Sequence, residues 1–235
     1  MKLQSVKDIK DLKDKRVLVR ADFDVPTKSK VKSLKSKVVE VEDDYRIRAA
    51  VPTIKYLLDK EAIVILIAHL GRPKGRKDKD LSLQPVAEHL QKLLRRKVIF
   101  LPYGDFSKHE NQVTKKGRVK IFVLENLRFW KGEESNSKSF AKELSSLADY
   151  YVNDAFAVCH RKHVSVSAIN QYLPGYAGLS LEQEIGHLSQ IMKKPRRPLL
   201  GVMGGVKIST KLPVMENLLK KVDLLVVGGA LANNF

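Results

Sequence analysis

Seven apolar residues in a row, from Ala62 to Ala68, restrict this chain to folds with a deeply buried strand. A run without polar alternation indicates a strand covered on both faces, as in a parallel sheet, and it is too short to cross a membrane. His69-Leu70-Gly71-Arg72-Pro73 follows directly. Open α/β folds bind ligands in loops at this position, where glycine admits a close ligand and arginine suits phosphate or carboxylate. The sequence therefore predicts an anion site after this strand.

Three further short strands are predicted at 16–20, 119–124 and 150–152, and basic residues lie at or after the end of each. The carboxyl ends of parallel strands share one edge of a sheet, so these basic groups could converge on one multiply charged anion. Alternatively, each arginine is a solvated surface charge. The repetition at four strand ends favours convergence.

Strands alternate with helical patterns along the chain, which is typical of βαβ units. We predict an α/β fold, with a parallel-sheet, Rossmann-like domain that carries helices on both faces and the first βαβ unit of a second, similar domain. Ser82 is the predicted N-cap of a helix, Pro52 should kink or interrupt another, and 174–178 reads as a turn-rich connector. The predicted helices are 45–58, 83–94, 139–147, 181–192 and 211–221; further strands are predicted at 98–101, 199–203 and 224–227.

The predicted domains are 1–173, a connector with its helix at 174–198, and an incomplete second domain at 199–235. That last part would have only two strands, which make a poor sheet, so we expect the chain to stop inside a second domain.

The formal net charge of +18 raises the possibility of nucleic acid or other anionic partners. Much of this charge is plain surface lysine: segment 27–37 holds five lysines and no acid, and it suits a hairpin or a flexible loop. Nucleic-acid binding is therefore not the favoured interpretation. One cysteine, Cys159, excludes an internal disulfide and a cysteine-rich metal site, and residues 1–8 lack the apolar stretch of a secretory signal. A cytoplasmic location is the expectation.

Several motifs in order resemble those of the phosphoglycerate kinase family. The motifs are Ala21-Asp22-Phe23-Asp24-Val25-Pro26, Asp43-Asp44-Tyr45-Arg46-Ile47-Arg48, His69-Leu70-Gly71-Arg72-Pro73, Glu125-Asn126-Leu127-Arg128-Phe129, Val152-Asn153-Asp154-Ala155-Phe156, the segment from Gly204 to Lys211, and the segment from Gly228 to Phe235. The resemblance covers essentially the whole chain. It implies phosphoryl transfer between 1,3-bisphosphoglycerate and ADP, giving 3-phosphoglycerate and ATP in glycolysis, by an enzyme that is a monomer when complete.

The resemblance also implies roles for individual residues. Arg46 and Lys207 would be catalytic, and Arg46 would neutralise the phosphoryl group in flight; otherwise Arg46 is a first-turn arginine paired with Asp43 or Asp44. Asp22 could instead serve only to orient an arginine. The implied triose-binding residues are Arg20, Asp22, Asp24, Arg46, His69, Arg72, Arg128, His160 and Arg161, with His163 a weaker candidate. The implied nucleotide-binding residues are Gly204, Gly205, Lys207, Lys211, Gly228 and Gly229.

Magnesium would accompany ATP or ADP, and its aspartate ligand is expected beyond Phe235, so no metal ligand is predicted in this chain. We therefore expect these 235 residues to bind the triose but to be inactive alone. Two alternatives are a non-catalytic module that binds anionic metabolites and a nucleic-acid-binding module on the same fold. Asp24, Ala68 and the segment Ala157-Val158-Cys159 depart from the family pattern and leave the fine tuning of affinity open.

Overall fold

The computed structural model describes residues 3–33, 36–114, 119–206 and 208–235. The chain forms two compact units, Met1–Gln183 and Glu184–Phe235. The strands of the first unit are β1 (Arg16–Arg20), β2 (Thr27–Ser33), β3 (Ser36–Val41), β4 (Ile63–Ile67), β5 (Ile99–Leu101), β6 (Ile121–Leu124), β7 (Tyr150–Asn153) and β8 (Gly175–Ala177). Its helices are α1 (Tyr45–Asp59), α2 (Gln84–Leu94), α3 (Phe106–Thr114), α4 (Lys131–Glu134), α5 (Lys138–Ser145) and α6 (Leu179–Lys193), which continues into the second unit.

The first unit is built on a six-stranded sheet with the order β5-β6-β4-β1-β7-β8, in which every pairing is parallel. The predicted parallel α/β fold is confirmed. From β1 the chain moves to β4 on one side and later crosses to β7 on the other. Reversals of this kind leave a crevice at the carboxyl ends of the strands, where open α/β folds bind ligands.

Alternate strand residues enter two separate cores, one on each face of the sheet. Val17, Val19 and Leu66 pack on one face with α1 and α2, whereas Leu18 and Ile65 pack on the other with α3 and α5. The continuous apolar runs arise because both faces are covered, as the sequence predicts for 62–68.

Two local predictions are wrong. Segment 174–178 contains strand β8, which pairs in parallel with β7, because a three-residue strand is hidden by its Pro and Gly neighbours. Ser82 is not the N-cap of α2: that position belongs to Leu83. The Glu125 carboxylate instead accepts hydrogen bonds from the Leu83 N–H and the Ser82 hydroxyl, each at 2.8 Å.

Other differences concern helix extents. Helix α1 continues through Pro52, which therefore does not end it. Helix α3 has no counterpart among the predicted helices. In segment 27–37, β2 and β3 pair as an antiparallel hairpin, with Lys28 opposite Glu40. Leu34 and Lys35, in the same segment, lie outside the described residues.

The second unit contains β9 (Leu200–Gly204), α7 (Ile208–Leu219) and β10 (Leu224–Gly228). The two strands pair in parallel, with Gly204 opposite Gly228, so the predicted βαβ unit is present. Helix α7 begins three residues earlier than predicted. Met203, Met215 and Leu231 form a small buried cluster in this unit. None of the helices within the described part of the chain combines the length and apolar character that a membrane span requires.

Candidate anion-binding site

Arg20 and His69 form a buried pair at the carboxyl ends of the adjacent strands β1 and β4. The Arg20 guanidinium donates to His69 Nδ1 over 2.9 Å, and the two residues are only 2% and 4% exposed. Burial is the main reason that the pKa of His69 falls to about 2, and the nearby charges of Arg20, Arg128 and Arg161 lower it further. His69 is therefore neutral at physiological pH.

The direction of this hydrogen bond determines the tautomer of His69. A guanidinium has only donors, so Nδ1 must be the acceptor and the single proton of the neutral ring lies on Nε2. Nε2 lies 3.7 Å from Asp24 Oδ2. Since the ring is neutral, this contact is not an ion pair.

Gly71 connects the loop after β4 to two other strand ends. Its N–H donates to Asp24 Oδ1 over 2.9 Å, and its carbonyl accepts from Arg128 over 2.6 Å. The backbone φ of +60° favours glycine here, and a Cβ atom would come within 2.7 Å of Leu81. Gly71 thus brings the loops that follow β1, β4 and β6 together.

Asn126 braces the same loop from the end of β6. Its side-chain amide donates to the carbonyls of Leu70 and Leu81, and its side-chain oxygen accepts from the Arg128 N–H. Asn126 and Glu125 are buried, and the Glu125 carboxylate also accepts from the Asn126 N–H. The motif therefore supplies structural support as well as Arg128.

Arg46 pairs with Asp22 rather than with its neighbours in sequence. The guanidinium donates to Asp22 Oδ2 over 2.9 Å, with 48% of the arginine side chain exposed. Asp44 pairs instead with Arg48 and His89. The alternative in which Arg46 pairs with Asp43 or Asp44 is not what the structure shows. Asp22 does hold an arginine, as one interpretation expected.

Two other arginines have side-chain nitrogens with incomplete hydrogen bonding. Nε of Arg161 is buried and has no hydrogen-bond partner among the described residues. Nε of Arg128 lies 3.3 Å from Glu134 Oε1, and burial lowers the pKa of this arginine. Arg72 and His160 are exposed, on the loops that follow β4 and β7. Burial and then Arg128 lower the pKa of His163, which belongs to the same electrostatic environment.

Sequence reasoning missed Glu133 and Ser165, which support Arg20 from behind. The Ser165 hydroxyl donates to Glu133 Oε1 over 2.6 Å and accepts from Arg20 Nε over 3.1 Å. Glu133 also accepts from the Ser165 N–H over 3.0 Å, and both residues are almost fully buried. Gly132-Glu133-Glu134-Ser135 reads as a polar surface segment, so no local signal marks Glu133 as buried.

In the second unit, two glycine pairs lie side by side at the ends of paired strands. Gly204 is the last residue of β9 and Gly205 follows it. In the same way, Gly228 is the last residue of β10 and Gly229 follows it. Gly205 has a φ of +141°, and a Cβ atom on it would lie 3.5 Å from Cε of Lys211. A glycine-rich turn, a helix start and a lysine are features that suit phosphate groups.

Lys207 is the remaining predicted residue of this loop, and it lies outside the described residues. Across the described part of the chain, no group of three or more His, Cys, Asp or Glu side chains is placed to hold a metal ion.

These features define a class: an α/β protein with a basic site at the carboxyl edge of its sheet and a separate glycine-rich turn. A family model described as phosphoglycerate kinase matches residues 6–235. A phosphoglycerate kinase from Dictyoglomus turgidum is 47% identical over 225 residues, which are 96% of this chain and 54% of that protein. One from Coprothermobacter proteolyticus is 44% identical over 235 residues, covering 100% of this chain and 58% of the relative.

Solved structures agree with these sequence relationships. Phosphoglycerate kinase from Coxiella burnetii superposes with a TM-score of 0.79 at 36% identity, over 99% of this chain and 56% of that one. The enzyme from Pyrococcus horikoshii OT3 gives a TM-score of 0.84 at 30% identity, over 98% of this chain and 56% of that one. The chain belongs to the phosphoglycerate kinase family. It spans just over half the length of these relatives.

Proposed function

We propose that the site at the carboxyl edge of the first unit binds 3-phosphoglycerate or 1,3-bisphosphoglycerate. The observation that carries the proposal is the meeting of two buried arginines at the loop after β4, where Arg20 donates to His69 Nδ1 over 2.9 Å and Arg128 to the Gly71 carbonyl over 2.6 Å. Besides burial, the charges of Arg20, Arg128 and Arg161 lower the pKa of His69, in agreement with a shared basic environment. A triose with phosphate and carboxylate groups needs several cations and fixed donors. The buried, unpartnered Nε of Arg161 among the described residues supports an added oxygen ligand.

The reaction that we propose for this site is the family's phosphoryl transfer between 1,3-bisphosphoglycerate and ADP. Such a transfer depends on positioning and on stabilising charge, and the acceptor carboxylate needs no general base. Arg46 is half exposed beside Asp22, so it can offer its guanidinium to the group in transfer. A neutral His69 suits hydrogen-bond donation to a ligand oxygen rather than proton shuttling.

The nucleotide would use the glycine pairs and Lys211 of the second unit, and Lys207 by family resemblance. Magnesium would screen phosphate charge when bound with ATP or ADP. We propose that residues 1–173 are the triose-binding domain, 174–198 the connector and its helix, and 199–235 the beginning of a nucleotide-binding domain. We also propose a cytoplasmic protein that is monomeric as a complete enzyme.

Calorimetric titration of the 235-residue protein with 3-phosphoglycerate tests the binding proposal. We expect saturable binding to the parent and to Lys211→Ala, and strongly weakened binding to Arg161→Gln. Glycerol 3-phosphate, which lacks the carboxylate, should bind more weakly. A parent that binds neither compound at millimolar concentration, or an Arg161→Gln variant with parental affinity, would contradict the assignment.

A coupled assay with ATP and 3-phosphoglycerate tests transfer by these residues alone. We expect negligible turnover, because these residues span only 54–58% of the curated relatives and the family resemblance places the magnesium ligand outside them. Robust turnover that is lost in Lys207→Ala would show that the nucleotide site is already complete.

A further inference from the structure

Four buried polar residues form one continuous hydrogen-bonded chain behind the candidate site. The chain runs from Glu133 through Ser165 and Arg20 to His69, over contacts of 2.6, 3.1 and 2.9 Å. None of the four side chains belongs to a residue that is more than 4% exposed. The network links helix α4 and the loop after β7 to the ends of β1 and β4.

The donors and acceptors of the network have fixed roles, and donation runs outward from Arg20 on both sides, to Ser165 and to His69. Glu133 accepts from both the N–H and the hydroxyl of Ser165, so both carboxylate oxygens are occupied. The hydroxyl proton of Ser165 is thereby committed to Glu133, which leaves its oxygen free to accept from Arg20 Nε. Arg20 also donates to the carbonyl of Ala21, and this fixes the plane of the guanidinium toward His69.

Glu133 also compensates the charge of Arg20. Burial lowers the pKa of Arg20, and Glu133 is the strongest of the groups that oppose this effect. A buried guanidinium without a counter-charge is costly, and Glu133 supplies this charge through space; burial raises the pKa of Glu133, and the charge of Arg20 opposes that shift.

We propose that Glu133 and Ser165 are positioning residues that fix the tautomer of His69 through Arg20, so that Nε2–H is presented to an oxygen of the anionic ligand. The inference rests on the proposed function for the identity of that ligand. The tautomer itself can be measured without any ligand. Neither positioning residue needs to touch the triose.

Nitrogen-15 NMR of the histidine side chains in the full 235-residue protein tests the proposal, with His69→Gln used to assign the His69 signals. In the parent we expect an unprotonated Nδ1 and a protonated Nε2 between about pH 5 and pH 8, since the His69 pKa is about 2. Ser165→Ala should give a mixture of tautomers and weaken binding of 3-phosphoglycerate about tenfold, which is the scale of one hydrogen bond to a charged group.

Matched variants separate positioning from a general structural effect. Ser165→Thr keeps the hydroxyl and should retain the parental tautomer. Ser135→Ala removes an exposed hydroxyl that donates to the backbone carbonyls of Lys131 and Gly132, near Glu133, so it should change neither the His69 signals nor the affinity. If Ser165→Ala does not fold, Glu133→Gln tests the same link, because the amide replaces one of the two accepting oxygens with a donor NH2 group and removes the negative charge.

A parent in which His69 carries its proton on Nδ1 would overturn the proposal, whatever the variants do. Unchanged His69 signals in both folded Ser165→Ala and Glu133→Gln would do the same. If the tautomer behaves as expected but the parent does not bind 3-phosphoglycerate, the positioning role stands and the proposed ligand is wrong.

Discussion

The two units place their proposed anion sites at the ends of parallel strands, but with different amounts of supporting structure. In the first unit, Arg20, His69 and Arg128 are buried, and backbone or side-chain partners hold each of them. In the second, the glycine pairs end a two-stranded sheet whose buried cluster contains Met203, Met215 and Leu231. Extensive burial allows charged groups to be preorganised, whereas a unit with a small core offers chiefly backbone N–H groups and exposed side chains to a ligand.

The exposure of apolar residues shows the same difference. Strands β1 and β4 contribute fully buried residues to two cores, but Leu200, Val202 and Leu224 in β9 and β10 are mostly exposed. We therefore expect substitutions in the first unit to have large effects on stability, and comparable substitutions in the second unit to have small ones.

The largest expected effect comes from truncating a core strand residue. Leu66→Ala should lower the free energy of unfolding of the first unit by about 2–5 kcal/mol, because it removes fully buried methyl groups and leaves a cavity. Leu224→Ala, at a position 61% exposed, should cost less than about 0.5 kcal/mol. Trp130 is the single tryptophan and belongs to the first unit, so its fluorescence in urea follows Leu66→Ala, whereas hydrogen exchange of the β9 and β10 amides follows Leu224→Ala in the second unit. If the two variants lowered the free energy of unfolding equally, the proposed difference in packing between the two units would be wrong.

A buried carboxylate that follows β7 and accepts from the first turn of α6 should make the stability of the first unit depend on pH. Burial raises the pKa of Asp154 to about 6, although the Thr53 side chain and the N–H groups of Leu181 and Ser180 oppose this shift. The folded state therefore holds the proton more tightly than an unfolded chain with a normal pKa of 3.8. Ionisation of Asp154 therefore lowers the free energy of unfolding, and this loss is fully present above about pH 6. As the pH falls from about 6 to about 4, Asp154 becomes protonated in the folded state and the free energy of unfolding rises again.

The full gain in the free energy of unfolding would be about 3 kcal/mol, at roughly 1.4 kcal/mol for each unit of pKa. Urea unfolding followed by Trp130 fluorescence between pH 4 and pH 7 measures it against Asp154→Asn, which cannot titrate. The variant should lack this part of the pH dependence. Parallel pH profiles for parent and variant would show that Asp154 does not titrate in this range.

Much of the first unit could be predicted from its sequence because the signals are local. Continuous apolar runs indicate strands that are covered on both faces. Basic residues after these runs indicate the edge of the sheet at which open α/β folds bind ligands. The supporting contacts could not be predicted, because they join residues far apart in the chain: Glu125 accepts from the Leu83 N–H just before α2, and Glu133 lies 32 residues from Ser165. Strand β8 has no comparable signal, because Gly-Tyr-Ala is not an apolar run like that of β5 and its Pro174 and Gly178 neighbours are typical of a turn.

The next largest effect concerns binding at the edge of the first unit. Arg72→Ala should weaken binding of 3-phosphoglycerate by about 1.5–3 kcal/mol, the scale of a hydrogen bond between charged groups. Arg72 is exposed and follows Gly71, so its removal should leave folding intact. Arg96→Ala is the matched control, since it removes an exposed arginine after α2, away from the carboxyl ends of the strands. Calorimetric affinities that are equal for the two variants would exclude a binding role for Arg72.

The smallest expected effect separates the two anion sites directly. Lys211→Ala should change the affinity for 3-phosphoglycerate by less than about 0.5 kcal/mol, because the proposed triose contacts all belong to the first unit. The same variant should weaken ATP binding, since Lys211 packs over the turn at Gly205, where the lysine charge can reach phosphate. Titrations of one variant with both ligands make the comparison internal, so a folding defect would appear in both. If Lys211→Ala weakened triose binding as much as Arg72→Ala does, the two units would share one anion site, and the division of labour proposed for them would be wrong.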